Sequence, residues 1–169
     1  MHLSETYNLF MAYGGTQSLQ EKHRVEHYKP SLFRLIPHKS EKAARKNRFL
    51  WWILTRGRYT VYYVISDGKV VHHTYLIPKN YRFPFLEKNE FVILSSATDE
   101  NYRGRGILPC VLNAIRNDYP QDTKFYSTIS KHNAASIRAF QKAGFSLVGS
   151  AQHNENTVWT FDINIEATK

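Results

Sequence analysis

The sequence predicts an α/β fold with a single mixed, mostly antiparallel central sheet and flanking helices. Segments of strand length, rich in β-branched and aromatic residues, alternate with segments whose apolar residues recur at helical spacing. Several strand segments follow one another through short turns, which is typical of antiparallel hairpins. The chain has 169 residues, of which 42% are hydrophobic and 14% aromatic. A single domain covering residues 1–169 is therefore expected.

The first third of the chain is the least informative part of the sequence. Residues 1–28 are polar and are interpreted as an N-terminal extension with partial helix. Residues 31–36 predict a strand. Residues 40–54 predict a helix, because a serine is suited to cap its start and apolar residues recur along one face.

A hairpin and a third strand are predicted next. Residues 59–65 and 70–77 are rich in β-branched and aromatic residues, and the turn between them contains Asp67-Gly68. A loop rich in proline and aromatic residues, 78–88, leads to a strand at 90–98. Further on, a strand at 124–130 and a final hairpin of residues 146–152 and 157–163 complete the predicted sheet.

A glycine-containing loop joins the strand at 90–98 to a predicted helix. It reads Asn101-Tyr102-Arg103-Gly104-Arg105-Gly106-Ile107. Backbone N–H groups and the positive end of the dipole at such a helix start can hold a phosphate, and glycine lets the ligand approach closely. The arginines add charge suited to a pyrophosphate. The loop therefore predicts a phosphate site, and the alternative is a plain turn in which the glycines serve geometry alone.

A second motif follows the strand at 124–130. Asn133 is suited to cap a helix, Phe140 falls on the apolar face of that helix, and Gly144-Phe145 is suited to end it. The order Arg-Gly-x-Gly, helix, strand, Asn-x-x-Ser-x-x-x-aromatic-x-Lys-x-Gly-Phe resembles the GNAT superfamily of acyl-CoA-dependent N-acyltransferases. The resemblance extends over residues 90–149, which are expected to be the CoA-binding core of a GNAT-like fold.

The resemblance implies that an acyl-CoA thioester, most simply acetyl-CoA, lies where two neighbouring parallel strands separate. The pantetheine arm would bond to the backbone at the end of the first strand, and the pyrophosphate would rest on the glycine loop. Two side chains at the start of the later helix would also touch the cofactor. The implied cofactor residues are Ser96, Ala97, Thr98, Arg103, Gly104, Arg105, Gly106, Ile107, Asn133 and Ser136.

An acceptor amine must lose a proton, so a general base is expected within reach of the thioester. Glu90 is the first candidate, since its offset from the glycine loop matches a catalytic carboxylate in some protein-acetylating members. His72 and His73 are the next candidates; they are adjacent on a strand and point to opposite faces, so only one can line the acceptor cleft. Each of the three is also compatible with an ordinary strand residue.

Phe140 departs from the family pattern, because many members carry a tyrosine there that returns a proton to the leaving CoA thiolate. The departure leaves three readings open: another acid, departure of the thiolate unaided, or loss of activity.

Composition and charge limit the classes of partner that are expected. The formal net charge of +9 favours polyanionic partners, which include nucleic acid, acidic lipid and phosphorylated small molecules. A nucleic-acid partner is disfavoured, since the aromatic residues fall mostly in predicted strands and no nucleic-acid motif is present. His, Asp and Glu show no metal-ligand spacing, so no metal is expected. The one cysteine, Cys110, is expected to be a buried structural thiol.

No apolar run approaches 18 residues, so no membrane partner is expected and a cytoplasmic location is the default.

The sequence therefore predicts an N-acetyltransferase that moves an acetyl group from acetyl-CoA to a primary amine. A small-molecule acceptor is favoured, with an amino sugar or a nucleotide-linked amino sugar as a specific candidate. The alternatives are a catalytically degenerate CoA-binding module and a basic nucleic-acid-binding protein.

Overall fold

The computed structural model describes residues 5–15, 23–31, 45–80, 83–153 and 159–164. Within these residues, eight strands form one sheet and three helices flank it. The strands are β1 (Glu5–Tyr13), β2 (Val25–Tyr28), β3 (Thr60–Ser66), β4 (Lys69–Pro78), β5 (Glu90–Thr98), β6 (Lys124–Ser130), β7 (Ser146–His153) and β8 (Trp159–Ile163). The helices are α1 (Arg45–Thr55), α2 (Ile107–Asn117) and α3 (Ala134–Lys142).

The strands lie in the order β2-β3-β4-β5-β6-β1-β7-β8. Neighbouring strands are antiparallel except β5 and β6, which run parallel because α2 carries the chain back between them. The prediction of a single mixed, mostly antiparallel sheet with flanking helices is confirmed.

The N-terminal segment corrects the sequence-based interpretation. Residues 5–13 are not helical but form an interior strand, β1, which pairs with β6 on one side and with β7 on the other. Residues 25–28 form β2 at the sheet edge against β3. The run Leu9–Ala12 is buried along both faces of the sheet. A short run that is apolar throughout does not distinguish strand from helix, so partners more than a hundred residues away decide its structure.

The remaining predicted elements are observed with small shifts at their ends. The helix predicted at 40–54 is present as α1, and residues 40–44 lie outside the described residues. Of the strand predicted at 31–36, residues 32–36 also lie outside them. From β3 onward, each predicted strand and helix is present.

Two hydrophobic cores lie on opposite faces of the sheet. On one face α2 and α3 cover a cluster that we call the α2–α3 core; it includes Phe10, Leu76, Ile93, Val111 and Phe140. On the other face α1 covers the α1 core, which includes Leu9, Trp51, Tyr75, Val92 and Tyr126. Adjacent residues of β1 and of β5 therefore serve different cores, as expected for strands of period two.

A β-bulge interrupts β5 in its second half. Its residue Ser95 has φ +51°, in the left-handed region. Across the sheet, His73 pairs with Ala97 and Tyr75 pairs with Leu94, so two β5 residues oppose the single β4 residue between them. A bulge reverses which side chains face each side of a strand. Beyond it, the even-numbered residues of β5 turn from the α1 face to the α2 face.

Candidate active site

β5 and β6 run side by side only at their starts. Their backbone ladder ends at the pair Val92 and Tyr126, although both strands continue beyond this point. Where they separate, the Ser127 hydroxyl donates a hydrogen bond of 3.0 Å to the carbonyl of Ile93. The gap that follows leaves backbone donors and acceptors of β5 without a β6 partner, and such an edge can bind an extended ligand.

The glycine loop begins at the same end of β5. Gly104 has φ +75° and Gly106 has φ +79°, and a Cβ built on either would meet nothing within 4 Å. Glycine is therefore required by the backbone conformation, and space is open outside it. Gly106 is the N-cap residue of α2. The N–H groups of the first turn that follows have no carbonyl of their own helix to bond to, so they form a favourable anion site.

The two arginines of the loop hold it in shape. Arg103 donates from Nε to the carbonyl of Thr98 at 3.3 Å. Arg105 donates from Nη2 to the carbonyl of Asn101 at 2.9 Å, and its guanidinium lies 4.8 Å from the centre of the Tyr102 ring. Both arginines are exposed. They bring two positive charges to the rim of the open glycine loop.

The start of α3 follows the end of β6. The Asn133 side chain accepts a hydrogen bond of 3.1 Å from the backbone N–H of Ser136. The predicted cap is confirmed, and contact of either residue with a cofactor stays a prediction. Phe140, further along α3, is buried in the α2–α3 core, with ring centres 6.4 Å from Phe10 and 4.9 Å from Phe145. It therefore serves packing.

His72 lies in a buried polar chain beneath the bulge. Its Nδ1 is 2.7 Å from Thr98 Oγ1 and its Nε2 is 2.8 Å from Thr74 Oγ1. The Thr74 hydroxyl in turn donates to Ser96 Oγ at 2.9 Å. Burial lowers the pKa of His72 to about 3, with a smaller contribution from neighbouring His73. Both ring nitrogens are engaged and the ring is a very weak base, so the geometry disfavours His72 as a general base.

His73 faces the other side of the sheet. Its ring lies 5.7 Å from the ring of Tyr75, a residue of the α1 core. The prediction that His72 and His73 point to opposite faces is confirmed. His73 is half-buried, so of the two histidines it alone keeps a route to solvent on the α1 face.

Glu90 is buried in the first residue pair of the β5–β6 ladder. Its Oε1 is 3.1 Å from Lys124 Nζ, and its Oε2 accepts a hydrogen bond of 2.9 Å from the N–H of Glu87. Its charge also acts on Tyr126, whose pKa is raised mainly by burial and next by Glu90. Glu90 thus lies on the α1 face with Tyr126, at the closed end of the strand pair.

Two polar residues of this region were not identified from the sequence. Ser127 and Thr74 are both buried within strands of aromatic and aliphatic residues. A polar residue at a position that strand periodicity assigns to the core is the signal that could have found them.

Other kinds of site find little support in the described part of the chain. No group of three or more His, Cys, Asp or Glu residues there could hold a metal ion. Among the same residues, no helix is both long enough and apolar enough to span a membrane. The Cys110 thiol, in the first turns of α2, is partly buried and donates to the carbonyl of His23 at 3.5 Å.

The chain belongs to the GNAT acetyltransferase family. The family model described as Acetyltransferase (GNAT) family matches residues 19–145, which is most of the chain. The fold of this family binds acyl-CoA, and the strand gap and the open glycine loop are the features of this chain that fit such a ligand. No curated protein matches the chain with significant sequence similarity.

Solved structures share the fold at low identity. An acetyltransferase from the GNAT family of Colwellia psychrerythraea is 13% identical, with a TM-score of 0.57 over 94% of this chain and 56% of that one. A GCN5-related N-acetyltransferase of Sphaerobacter thermophilus is 11% identical, with a TM-score of 0.59 over 88% of this chain and 50% of that one. This chain thus spans only about half the length of either.

A third similar structure is a GCN5-related glucosamine N-acetyltransferase region within a fungal multi-domain GH3 β-N-acetylglucosaminidase. It is 10% identical, with a TM-score of 0.53 over 87% of this chain and 20% of that one. At these identities the likeness shows the fold alone.

Proposed function

We propose that this protein transfers the acetyl group of acetyl-CoA to a primary amine of a small-molecule acceptor. The observation that carries the proposal is the separation of β5 from β6 beside the open glycine loop at the start of α2. Both features border one strand, β5. A single long ligand with an amide-containing arm and a pyrophosphate fits them together, and acetyl-CoA has both parts.

The cofactor is proposed to lie along the end of β5. Backbone groups of residues 96–98 would bond to the amides of the pantetheine arm, which replaces the missing strand in the gap. The N–H groups of residues 103–107 and the two loop arginines would hold the pyrophosphate. Asn133 and Ser136 would contact the cofactor from the other side of the gap, since α3 follows directly after β6.

Glu90 is the proposed base, and His73 is the alternative on the same face. The amine nitrogen attacks the thioester carbonyl carbon and forms the new C–N bond, while its proton passes to the carboxylate, directly or through water. The C–S bond then breaks and the sulfur leaves with the electron pair as a thiolate. Phe140 has no proton to donate, so the thiolate takes its proton from solvent.

The proposed acceptor is a small amine such as an amino sugar, free or linked to a nucleotide. On the α1 face, the Phe85 ring centre lies 4.2 Å from Phe161 and 5.2 Å from Tyr126, near the Glu90 carboxylate. Aromatic rings beside a carboxylate suit an amine-bearing ring, because the rings offer apolar surface and the carboxylate attracts the ammonium group. One structure that shares the fold is described as a glucosamine N-acetyltransferase region, which makes glucosamine a sensible first acceptor to test.

The test is release of free CoA from acetyl-CoA in the presence of single amines: glucosamine, a nucleotide-linked amino sugar, spermidine and a lysine peptide. Amine-dependent thiol release, with the acetylated product identified by mass spectrometry, is the expected result. Calorimetry showing no CoA binding at millimolar concentration would overturn the proposal. CoA binding without transfer to any amine would support the degenerate CoA-binding module, for which the buried Phe140 is the motivating observation.

A further inference from the structure

We propose that His72 is a positioning residue that fixes the bulge of β5, and with it the strand edge that faces the gap, through the buried chain Thr98–His72–Thr74–Ser96. The inference rests on the proposed function, since it takes the gap as the place of the cofactor. It assigns His72 a role at that site other than proton transfer.

The hydrogen-bond directions in the chain follow from one another. The Thr74 hydroxyl donates to Ser96, so its oxygen is left to accept the Nε2–H of His72. Nδ1 then carries the lone pair and accepts from the Thr98 hydroxyl. A neutral imidazole presents one donor and one acceptor on opposite sides of a rigid ring. Its acceptor reaches Thr98 of β5 directly, and its donor holds Thr74 of its own strand, which in turn reaches Ser96 of β5.

The two β5 positions lie on either side of Ala97, just beyond the bulge. Ser96 and Thr98 reach the α2 face only because the bulge at Ser95 shifts the strand by one residue. In a regular strand both side chains would point to the α1 face, away from His72. The hydrogen bonds of the buried chain therefore exist only in the bulged register and stabilise it.

Serine is a poor residue for a positive φ, because its Cβ crowds the backbone there, so the local sequence does not by itself favour this bulge. Thr74 and His72 are both buried, at 0% and 1% exposed, so the loss of a partner leaves a buried polar atom without a hydrogen bond. The low pKa of His72 agrees with this role, since the ring stays neutral and keeps the same donor and acceptor at working pH.

The consequence concerns the backbone of residues 96–98. Loss of the buried chain removes the reason for the bulge, and a one-residue slip would exchange the N–H and C=O groups that β5 turns toward the gap. The cofactor arm would then meet the wrong pattern of donors and acceptors.

The test compares two Thr→Val variants of nearly equal shape. Thr74→Val removes the hydroxyl that accepts from His72 and donates to Ser96. Thr55→Val removes a hydroxyl that is also buried and that donates to the carbonyl of Trp51 in α1, at 2.7 Å. Thr74→Val should raise the KM for acetyl-CoA at least fivefold, while the Thr55→Val protein stays within twofold of wild type. Equal KM values in the two variants would overturn the inference, because general destabilisation would account for both.

Ser96→Ala is the milder second variant, since Ser96 is only half-buried and its loss leaves His72 bonded on both sides. It should raise the KM by less than Thr74→Val does, with kcat unchanged. A Ser96→Ala protein with lower kcat and unchanged KM would point to direct chemistry and contradict a positioning role.

NMR provides a reading that does not depend on catalysis. The chemical shifts of Ser95 report its left-handed backbone, which Thr74→Val should convert to the shifts of an ordinary strand. Retention of the wild-type shifts at Ser95 would overturn the inference even in an active enzyme. Failure of the wild type to bind CoA would instead reject the proposed function, while the NMR comparison would still decide whether the buried chain holds the bulge.

Discussion

The Glu90 carboxylate lies between an ammonium group and a backbone N–H, at the closed end of the strand pair. Lys124 Nζ lies 3.1 Å from its Oε1, and the N–H of Glu87 donates to its Oε2 at 2.9 Å. The proposed role of this carboxylate, which lies on the α1 face beside aromatic side chains, is to accept the proton of the attacking amine.

Replacement of Glu90 by glutamine should lower kcat by roughly 10²-fold or more, with little change in the KM for acetyl-CoA. The amide keeps the size of the side chain and removes only its ability to take a proton. Glu87→Gln makes the same chemical change on an exposed residue nearby and should leave turnover unchanged. Near-normal turnover of the Glu90→Gln protein from pH 6 to 9 would remove Glu90 and leave His73 as the next candidate, to be tested by His73→Ala.

His72 should make the free energy of unfolding depend on pH. Its pKa is about 3 in the folded protein and near the usual 6.5 when the chain is unfolded. Between these values the unfolded chain binds one more proton, so acid favours unfolding. The stabilisation is complete above pH 6.5 and is lost as the pH falls, by about 1.4 kcal/mol per pH unit.

Urea unfolding between pH 6.5 and 5 measures this slope. A His72→Gln protein should be less stable than wild type at pH 7 and should lose stability less steeply as the pH falls. Parallel pH curves for the two proteins would show that His72 does not titrate between the folded and unfolded states as stated.

Substitutions in the glycine loop test most directly whether the loop is a phosphate site or a plain turn. Gly106→Glu should weaken CoA binding at least tenfold, about 1.4 kcal/mol, because it places an anion where the pyrophosphate is proposed to lie. Gly106→Gln carries the same backbone strain without the charge and should bind CoA more tightly than Gly106→Glu does. Isothermal calorimetry of the two folded variants makes the comparison, and equal affinities would reject the phosphate assignment.

The cap of α3 offers a second test at this scale. Asn133→Ala removes the acceptor of the Ser136 N–H and should lower the free energy of unfolding by about 1 kcal/mol. If Asn133 also touches the cofactor, the KM for acetyl-CoA rises as well. Asn133→Ser keeps a capping oxygen and should recover stability more fully than it recovers KM. Normal kinetics in a destabilised Asn133→Ala protein would leave the residue as a cap only.

Elements that depend on local interactions were predictable from the sequence, whereas features that depend on partners distant in sequence were not. β5, α2, β6 and α3 were predictable because their signals are local: β-branched runs, helical spacing, a capping asparagine and glycines at helix ends. The bulge at Ser95 was not, since neither serine of the pair Ser95-Ser96 favours a positive φ and the stabilising partners lie on another strand. With the bulge unseen, the side chains of Ser96 and Thr98 could not be assigned to a face.

At the scale of the whole molecule, β1 contributes side chains to both hydrophobic cores and lies between β6 and β7 in the sheet. Leu9→Ala should lower the free energy of unfolding by about 2–5 kcal/mol, because Leu9 is fully buried in the α1 core. Leu147→Ala on neighbouring β7 is the matched control; that side chain is 54% exposed, so its loss should cost less than about 1 kcal/mol. Chemical denaturation measures both. A small effect of Leu9→Ala would mean that β1 is not an integral strand.

The elements from β3 onward were predicted correctly from the sequence, and β1 and β2 at the start of the chain were not. The GNAT-like order of elements follows from the motifs between residues 90 and 149. Residues 1–28 contain no motif, and the apolar residues of β1 form a strand only because β6 and β7 pair with it. An antiparallel strand that pairs with distant segments leaves no turn signal in the sequence.

Because β1 lies in the interior of the sheet, it can pair only after strands that are synthesised much later. β1 ends at Tyr13 and β6 begins at Lys124, 111 residues later (124 − 13). At translation rates of about 5–20 residues per second, β1 leaves the ribosome roughly 6–22 s before its first partner strand. During that interval β1 has apolar residues on both faces and no partner strand, so it is accessible to chaperones and to other nascent chains. Of the eight described strands, β1 is therefore synthesised first but is among the last to pair with its neighbours.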